Sequence, residues 1–80
     1  MDKLDEARKV VGLRSLLKGL AGGTIETAYL ADDADMFLRM QVTEACEKAN
    51  VKLVIVKTME ELGVACGVEV KTAAAGIRKQ

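Results

Sequence analysis

The chain has 80 residues, half of them apolar, and this length and composition predict one small folded domain over residues 1–80 rather than a disordered tail. It contains no histidine, which excludes histidine-based catalytic triads and histidine-ligated metal sites. Two cysteines cannot form a four-thiolate zinc site, and without a recognisable signal peptide they predict a reducing, cytoplasmic location. No apolar run approaches the roughly 18 residues that a membrane span requires.

The first predicted element leaves two alternatives open. Apolar residues recur at helical spacing, and Asp2 stands in the N-cap position of such a helix. Alternatively, the β-branched pair Val10-Val11, which stands directly before a glycine, favours a short strand. The helically spaced residues are Leu4, Ala7 and Val11.

The clearest predicted helix follows Gly12. Four leucines fall at positions i, i+3, i+4 and i+7 and form one apolar stripe. They are Leu13, Leu16, Leu17 and Leu20. Gly22 and Gly23 end this helix, because one of them supplies the left-handed C-terminal conformation. A strand is predicted next, over Thr24–Ala31.

The acidic turn Asp32–Asp35 is predicted to cap a second long helix, which Asn50 ends. The apolar positions of this helix share one face and are Leu38, Val42, Ala45, Cys46 and Ala49. The near-continuous apolar run Val51–Val56 then predicts a strand buried on both faces.

The last third of the chain predicts a short helix and a final strand. Thr58 and Glu61 stand three apart, as in a capping box, and open a helix through Leu62 that glycines then interrupt. Val68–Ala74 is predicted to be the last strand. Strands that alternate with helices predict a sheet with helices on both faces, which is a three-layer α/β/α sandwich.

The charge is unevenly distributed although the net charge is zero. No acid occurs between Glu6 and Glu26, and the cations in this stretch are Arg8, Lys9, Arg14 and Lys18. Arg14, Ser15 and Lys18 share the helix face opposite the leucine stripe. Two cations and a hydroxyl in the first turns of a helix, whose dipole is positive there, point to an anion such as phosphate. The alternative is an ordinary solvated polar face.

The three aspartates of the turn Asp32–Asp35 also have two interpretations. Hard cations prefer carboxylate oxygens, which suggests a metal site. The segment lacks the further ligands and the glycine of a calcium loop, however, and aspartate before a helix is the ordinary N-cap. We therefore predict helix capping and no metal.

The two cysteines have no neighbouring base that could activate them as nucleophiles. Cys46 and Cys66 are therefore predicted to be small core residues. The segment Gly63–Val68 is small, apolar and flanked by glycines, so its backbone can approach a ligand closely. Tight packing of a helix against a strand explains the same composition.

Several of these segments together resemble a known family. The sequence from Leu62 to Val68, followed by Ala73–Ala75 and Ile77, is similar to the signature of the ribosomal protein L7Ae family of kink-turn RNA-binding proteins. The resemblance is greatest to its short bacterial, ribosome-associated members. Gly12–Lys18 resembles the family's pattern of glycine, polar pair and lysine, and Ala31–Asp35 its acidic turn. The resemblance to this family covers nearly the whole chain.

The resemblance implies a four-stranded mixed sheet and recognition of a kinked RNA helix. The helix with the polar pair would enter the RNA major groove beside tandem G·A pairs, and the small apolar loop would cover a base extruded from the bulge. The residues that would face RNA are Gly12, Arg14, Ser15, Lys18, Val64, Ala65, Cys66, Gly67 and Val68.

This sequence departs from the family pattern at several positions. Arg14 and Ser15 replace an Asn-Glu pair, and the serine side chain is shorter than the glutamate that would contact a guanine edge. Met36 replaces a frequent proline. Val64 replaces a frequent arginine or lysine, so one phosphate contact would be lost.

The leading hypothesis is therefore a non-catalytic, monomeric protein that binds kink-turn RNA, ribosomal or other, and needs neither a cofactor nor a small-molecule substrate. The alternative hypothesis is a protein-interaction module in which Arg14 and Lys18 dock an acidic partner. An enzyme that binds nucleotides has little support, because Gly22-Gly23 follows a helix instead of a strand.

Overall fold

The computed structural model describes residues 3–80. The elements follow one another as β1 (Lys9–Val11), α1 (Leu13–Gly22), β2 (Ile25–Ala31), α2 (Met36–Ala49), β3 (Lys52–Val56), α3 (Met59–Cys66) and β4 (Ala74–Arg78). No helix in this part of the chain has the length and apolar character needed to cross a bilayer.

The four strands form one mixed sheet in the order β1-β4-β2-β3. Strands β2 and β3 are parallel, with Tyr29 opposite Val54. Strand β4 runs antiparallel to both of its neighbours, pairing Ala75 with Val11 on one side and with Tyr29 on the other. The predicted three-layer α/β/α sandwich with a four-stranded mixed sheet is thus confirmed.

The sheet separates two apolar cores. Helices α1 and α2 cover one face, where the core is formed by Leu16, Leu20, Ile25, Ala28, Leu30, Val42, Cys46 and Ala74. Helix α3 and the segment before β1 cover the other face, where the core is formed by Leu4, Ala31, Ala34, Val56, Leu62, Cys66, Ala75 and Ile77. The leucine stripe of α1 is therefore buried at its centre, as the spacing predicts.

Three helix ends have the capping residues that the sequence predicts. Gly23 takes a left-handed conformation, with φ 73°, and ends α1. Asn50 does the same for α2 with φ 56°. At the start of α3, the Thr58 hydroxyl accepts a hydrogen bond from the Glu61 amide at 3.0 Å. These caps could be predicted because each uses only a local side chain or a permissive backbone.

The helix predicted at the start of the chain is wrong, and the alternative strand is confirmed. Residues 6–8 form a turn, and Lys9–Val11 is β1. Pairing of Lys9 with Ile77 and of Val11 with Ala75 places this segment in the sheet. A strand partner from the far end of the chain thus outweighs a weak helical pattern. Asp2, its proposed N-cap, lies outside the described residues.

The prediction that the third strand is buried on both faces is also wrong. Strand β3 is one of the two edge strands of the sheet, and its Ile55 side chain is 55% exposed. An apolar run of five or six residues identifies a strand but does not show its place in the sheet order. Here that place is the edge beside solvent.

The last helix and strand differ from the prediction in their bounds. Helix α3 continues past Gly63 to Cys66, and Gly67, with φ 73°, ends it. Gly63 is retained inside the helix because the backbone carbonyl of Val70 packs where a side chain would be. The predicted strand Val68–Ala74 is therefore mostly a connection, and β4 begins only at Ala74.

Candidate nucleic-acid interface

The three helices all begin at the same edge of the sheet, which is the edge formed by the carboxyl ends of β1, β2 and β3. Strands β1, β2 and β3 run in the same direction, since the first two are each antiparallel to β4 and the third is parallel to β2. Each is followed by a helix, so the starts of α1, α2 and α3 lie beside one another. This edge therefore carries the positive ends of three helix dipoles.

Two of these helix starts are neutralised by side chains of the protein. At α2, the Asp35 carboxylate accepts a hydrogen bond from the Leu38 amide at 3.3 Å. At α3, the Asp33 carboxylate accepts one from the Met59 amide at 2.8 Å. The N-cap interpretation of the acidic turn is thus confirmed. No group of three or more potential metal-ligating side chains occurs in residues 3–80.

The start of α1 is different, because no side chain within residues 3–80 caps it and its first turn contains no acid. Its N-cap is Gly12, whose backbone has φ 99° and ψ 155°. The Gly12 amide donates to the Ala74 carbonyl at 2.9 Å, which fixes the helix start against β4. The first amides of α1 thus have no hydrogen-bond acceptor among the described residues, an arrangement that suits an anion.

Exposed cations surround this uncapped helix start. Arg14, Ser15 and Lys18 are all exposed. Neither Arg14 nor Lys18 forms an ion pair within residues 3–80, whereas Arg8 and Arg39 do. The structure therefore brings the four predicted residues from Gly12 to Lys18 together on two turns of one helix. The positive charges of Arg14 and Lys18 are therefore available to an external anion.

The second predicted group, Val64–Val68, does not form a loop. Ala65 and Cys66 lie in the last turn of α3 and are only 2% and 1% exposed, so their side chains belong to the core. Val64 and Gly67 are exposed, and Val68 is half-buried. A run of small residues indicates tight packing as readily as a binding loop, and here the packing interpretation is correct for the two central residues.

The end of α3 lies away from the start of α1. The ammonium of Lys9 donates to the Cys66 carbonyl at 2.6 Å, which places the last turn of α3 beside the beginning of β1. Gly12 follows the other end of β1, about 10 Å further along at the usual rise of a strand. The two groups of predicted residues therefore occupy neighbouring but separate parts of the surface.

The connection between α3 and β4 contains exposed residues that the sequence reasoning missed. Glu69, Val70 and Lys71 all face solvent. The connection is held at the end that precedes β4, because the Thr72 amide donates to the Met59 carbonyl and the Ala31 amide donates to the Ala73 carbonyl. It therefore ends at the same sheet edge as Gly12. The signal available in the sequence was a valine between two charged residues.

Both cysteines are free and buried, as predicted. Burial raises the pKa of the Cys46 thiol. Burial also raises the pKa of the Cys66 thiol, and the nearby Lys9 ammonium opposes this effect. A buried thiol that stays protonated is a poor nucleophile, so these groups act as core residues.

Comparison with known proteins places these features in a family. The sequence model of the ribosomal protein L7Ae/L30e/S12e/Gadd45 family matches residues 1–80. A protein of Caldanaerobacter subterraneus subsp. tengcongensis, named as RNA-binding, is 37% identical over 68 residues, which are 85% of this chain and 83% of that protein. The RNA-binding protein YbxF of Geobacillus stearothermophilus is 34% identical over 74 residues, which are 92% of this chain and 90% of YbxF.

Solved structures share the same fold. The Giardia lamblia 15.5kD RNA binding protein superposes with a TM-score of 0.85 at 32% identity, covering 92% of this chain. This chain spans 62% of that structure's length. A protein of unknown function from Bacillus halodurans superposes with a TM-score of 0.83 at 18% identity and covers 91% of this chain, which shows the fold alone.

Proposed function

Because the chain belongs to the ribosomal protein L7Ae/L30e/S12e/Gadd45 family, we propose that it is a non-catalytic RNA-binding protein that recognises kink-turn RNA. Two bacterial relatives named as RNA-binding are matched over 83% and 90% of their own lengths. The proposal includes ribosomal or other structured RNA as the partner, binding as a monomer, and a cytoplasmic location.

The observation that carries this proposal is the contrast between the three helix starts. Asp35 and Thr58 cap two of them, whereas α1 has no side-chain cap from the described part of the chain and no acid in its first turn. Arg14 and Lys18, both exposed and unpaired within the described chain, lie over this third start. A polyanion whose phosphates replace the missing cap is the ligand that this arrangement fits best.

A kinked RNA fits this surface better than a regular duplex. The major groove of A-form RNA is too narrow for a helix to enter, and an internal loop with a kink opens it. In the proposed complex, α1 lies with its first turns in the opened groove. Arg14 and Lys18 contact phosphates, Ser15 donates or accepts one hydrogen bond, and Gly12 lets the RNA approach the backbone.

The second group of residues contributes unequally in this proposal. Val64, Gly67 and Val68 have surface available for an extruded base. Ala65 and Cys66 support that surface from below, since their side chains lie in the core. The contact with RNA at this position is therefore apolar and depends on shape.

The test is a gel shift with two RNAs of the same length. One contains a kink-turn, and in the other the tandem G·A pairs are replaced by Watson–Crick pairs, so that total charge is unchanged. We expect the kink-turn RNA to bind at least about tenfold more tightly, which is about 1.4 kcal/mol. Equal binding to both RNAs, or binding to neither, would contradict the proposal. Binding of an acidic protein in place of RNA would favour the alternative of a protein-interaction module.

A further inference from the structure

The only phenylalanine of the chain is one of its most exposed large side chains. Phe37, in the first turn of α2, is 79% exposed. The sequence contains no tryptophan, and its single tyrosine, Tyr29, packs against a core. In a chain with so few aromatic residues, a solvent-exposed aromatic ring indicates a binding surface.

The ring lies in the first turn of α2, at the sheet edge where α1 also begins. Phe37 precedes Lys48 by eleven residues, so the two share one face of the helix. Ala45 and Lys48 line a shallow cavity together with Leu17 and Ala21 of α1. Phe37 therefore stands at the beginning of the groove between the two helices.

Arg14 occupies the matching position on α1. It precedes Leu17 by three residues and Ala21 by seven, which places it on the side of α1 that lines the same cavity. Since α1 and α2 begin at the same sheet edge and cover the same face of the sheet, Arg14 and Phe37 lie in the first turns of two neighbouring helices. Both are exposed, and Arg14 has no acidic partner in residues 3–80.

We propose that Phe37 is a stacking platform for an unpaired base of the RNA bound at α1, with Arg14 holding a phosphate of the same nucleotide. This inference rests on the proposed function and adds a base-binding residue from a second helix. A nucleotide joins a flat aromatic face to an anion, which is the combination that an exposed ring and an unpaired guanidinium at the same sheet edge accept.

Neighbouring charges distinguish Phe37 from the other exposed apolar residues of α2. Met36 and Met40 are also exposed, but they line a shallow depression with Glu44 and Glu47 on the outer side of α2, and Glu44 is paired with Lys48 at 3.4 Å. Carboxylates on that side repel phosphate. Near Phe37, the Asp35 carboxylate is engaged by the Leu38 amide.

Three variants test the aromatic contact. Phe37→Ala is expected to weaken kink-turn RNA binding about tenfold, because stacking on an aromatic side chain contributes on that order for each base. Phe37→Tyr keeps the ring and should bind as the wild type does. Met40→Ala is the matched control, since it removes an exposed apolar side chain one turn away on the acidic side. The salt dependence of binding should be unchanged in Phe37→Ala and reduced in Arg14→Ala.

Fluorescence gives a readout that does not depend on affinity. Because the chain has no tryptophan, Phe37→Trp introduces a single reporter. Its emission should be quenched when kink-turn RNA binds, and that of Met40→Trp should change little. A change of the Phe37→Trp emission with protein concentration alone would assign the ring to contact between two copies and would overturn the inference.

The outcomes separate this inference from the proposed function. If the wild-type protein does not distinguish the two RNAs, the proposed function fails and this inference fails with it. If wild type binds kink-turn RNA and Arg14→Ala weakens it, but Phe37→Ala binds normally, only the inference is overturned. In that case the exposed ring belongs to a surface for a protein partner.

Discussion

At the scale of single residues, two glycines of α1 have opposite backbone requirements. Gly12 has φ 99° and ψ 155°, a conformation that is nearly exclusive to glycine, whereas Gly22 lies within the helix. A Cβ atom would meet nothing within 4 Å at either position. Any difference between alanine substitutions therefore reports the backbone alone.

We expect Gly12→Ala to lower the free energy of unfolding by about 1–3 kcal/mol, because alanine strains this conformation. Gly22→Ala should raise it by about 0.5–1 kcal/mol, because alanine favours the helix and restricts the unfolded chain. Denaturant titrations of the two variants measure both effects. Equal changes would show that Gly12 does not require a positive φ.

The exposed cations of α1 are expected to contribute to RNA binding and not to stability. Arg14→Ala and Lys18→Ala should each reduce the slope of log K against log salt by about one phosphate contact, with an unchanged melting temperature. Lys52→Ala is the control, since Lys52 is exposed at the start of β3, at the opposite edge of the sheet. A salt titration in which all three slopes match the wild type would place the phosphate contacts elsewhere.

These exposed residues could be predicted from the sequence, whereas the position of Ala65 and Cys66 inside α3 could not. The face of Arg14 and Lys18 follows from the leucine stripe of their own helix, which is a local pattern. The position of Ala65 and Cys66 depends on whether α3 continues past Gly63. That depends on the Val70 carbonyl, which a local pattern does not contain.

At the scale of elements, the end of α3 is held by a side chain from another strand. The Lys9 ammonium lies 2.6 Å from the Cys66 carbonyl and 3.1 Å from Glu6, and its side chain is only 16% exposed. A cation at the negative end of a helix interacts favourably with the dipole and with an unpaired carbonyl. This contact joins β1 to α3 across 57 residues of sequence.

Lys9→Met keeps the length and apolar character of the side chain and removes its charge. We expect a loss of about 1–2 kcal/mol in the free energy of unfolding, since a charged hydrogen bond to a carbonyl is lost. Lys48→Met is the matched control, because Lys48 pairs with Glu44 at 3.4 Å on an exposed surface. It should change stability by less than about 0.5 kcal/mol. Similar losses in both variants would contradict the capping role of Lys9.

The elements that could be predicted are those with complete local signals. Helix α1 has its stripe and Gly23, and α2 has Asp35 and Asn50 at its two ends. Strand β1 could be given only as an alternative to a helix, and the edge position of β3 was not predicted, since both depend on the strand order. Sheet order results from contacts between distant segments, which a periodicity within a single segment does not report.

At the scale of the whole molecule, one sheet separates two cores, and each core contains one free cysteine. Cys46 lies in the core with α1 and α2, and Cys66 in the core with α3. The alternation of helices and strands predicted this architecture without giving the strand order. The two thiols therefore act as probes of the two faces of the sheet.

The buried thiols predict a decrease in stability at alkaline pH. Burial raises the pKa of Cys46 and Cys66 above the value that each has in the unfolded chain, about 8.5. Above this unfolded-state pKa the folded state holds more protons than the unfolded state. The free energy of unfolding therefore keeps its full value below this pKa and falls as the pH rises above it. A double Cys→Ala variant should lose this part of the pH dependence in denaturant titrations at pH 7 to 10. An identical pH profile for both proteins would contradict the prediction.

The same thiols test whether the two cores unfold together. In a chain of 80 residues that shares one sheet between its cores, we expect a single cooperative transition. Iodoacetamide should then label Cys46 and Cys66 with the same opening free energy, measured for each peptide by mass spectrometry along a denaturant series. Lys9→Met should lower both values equally if unfolding is global. If it exposes Cys66 alone, α3 opens independently of the sheet and of the core beneath α1 and α2.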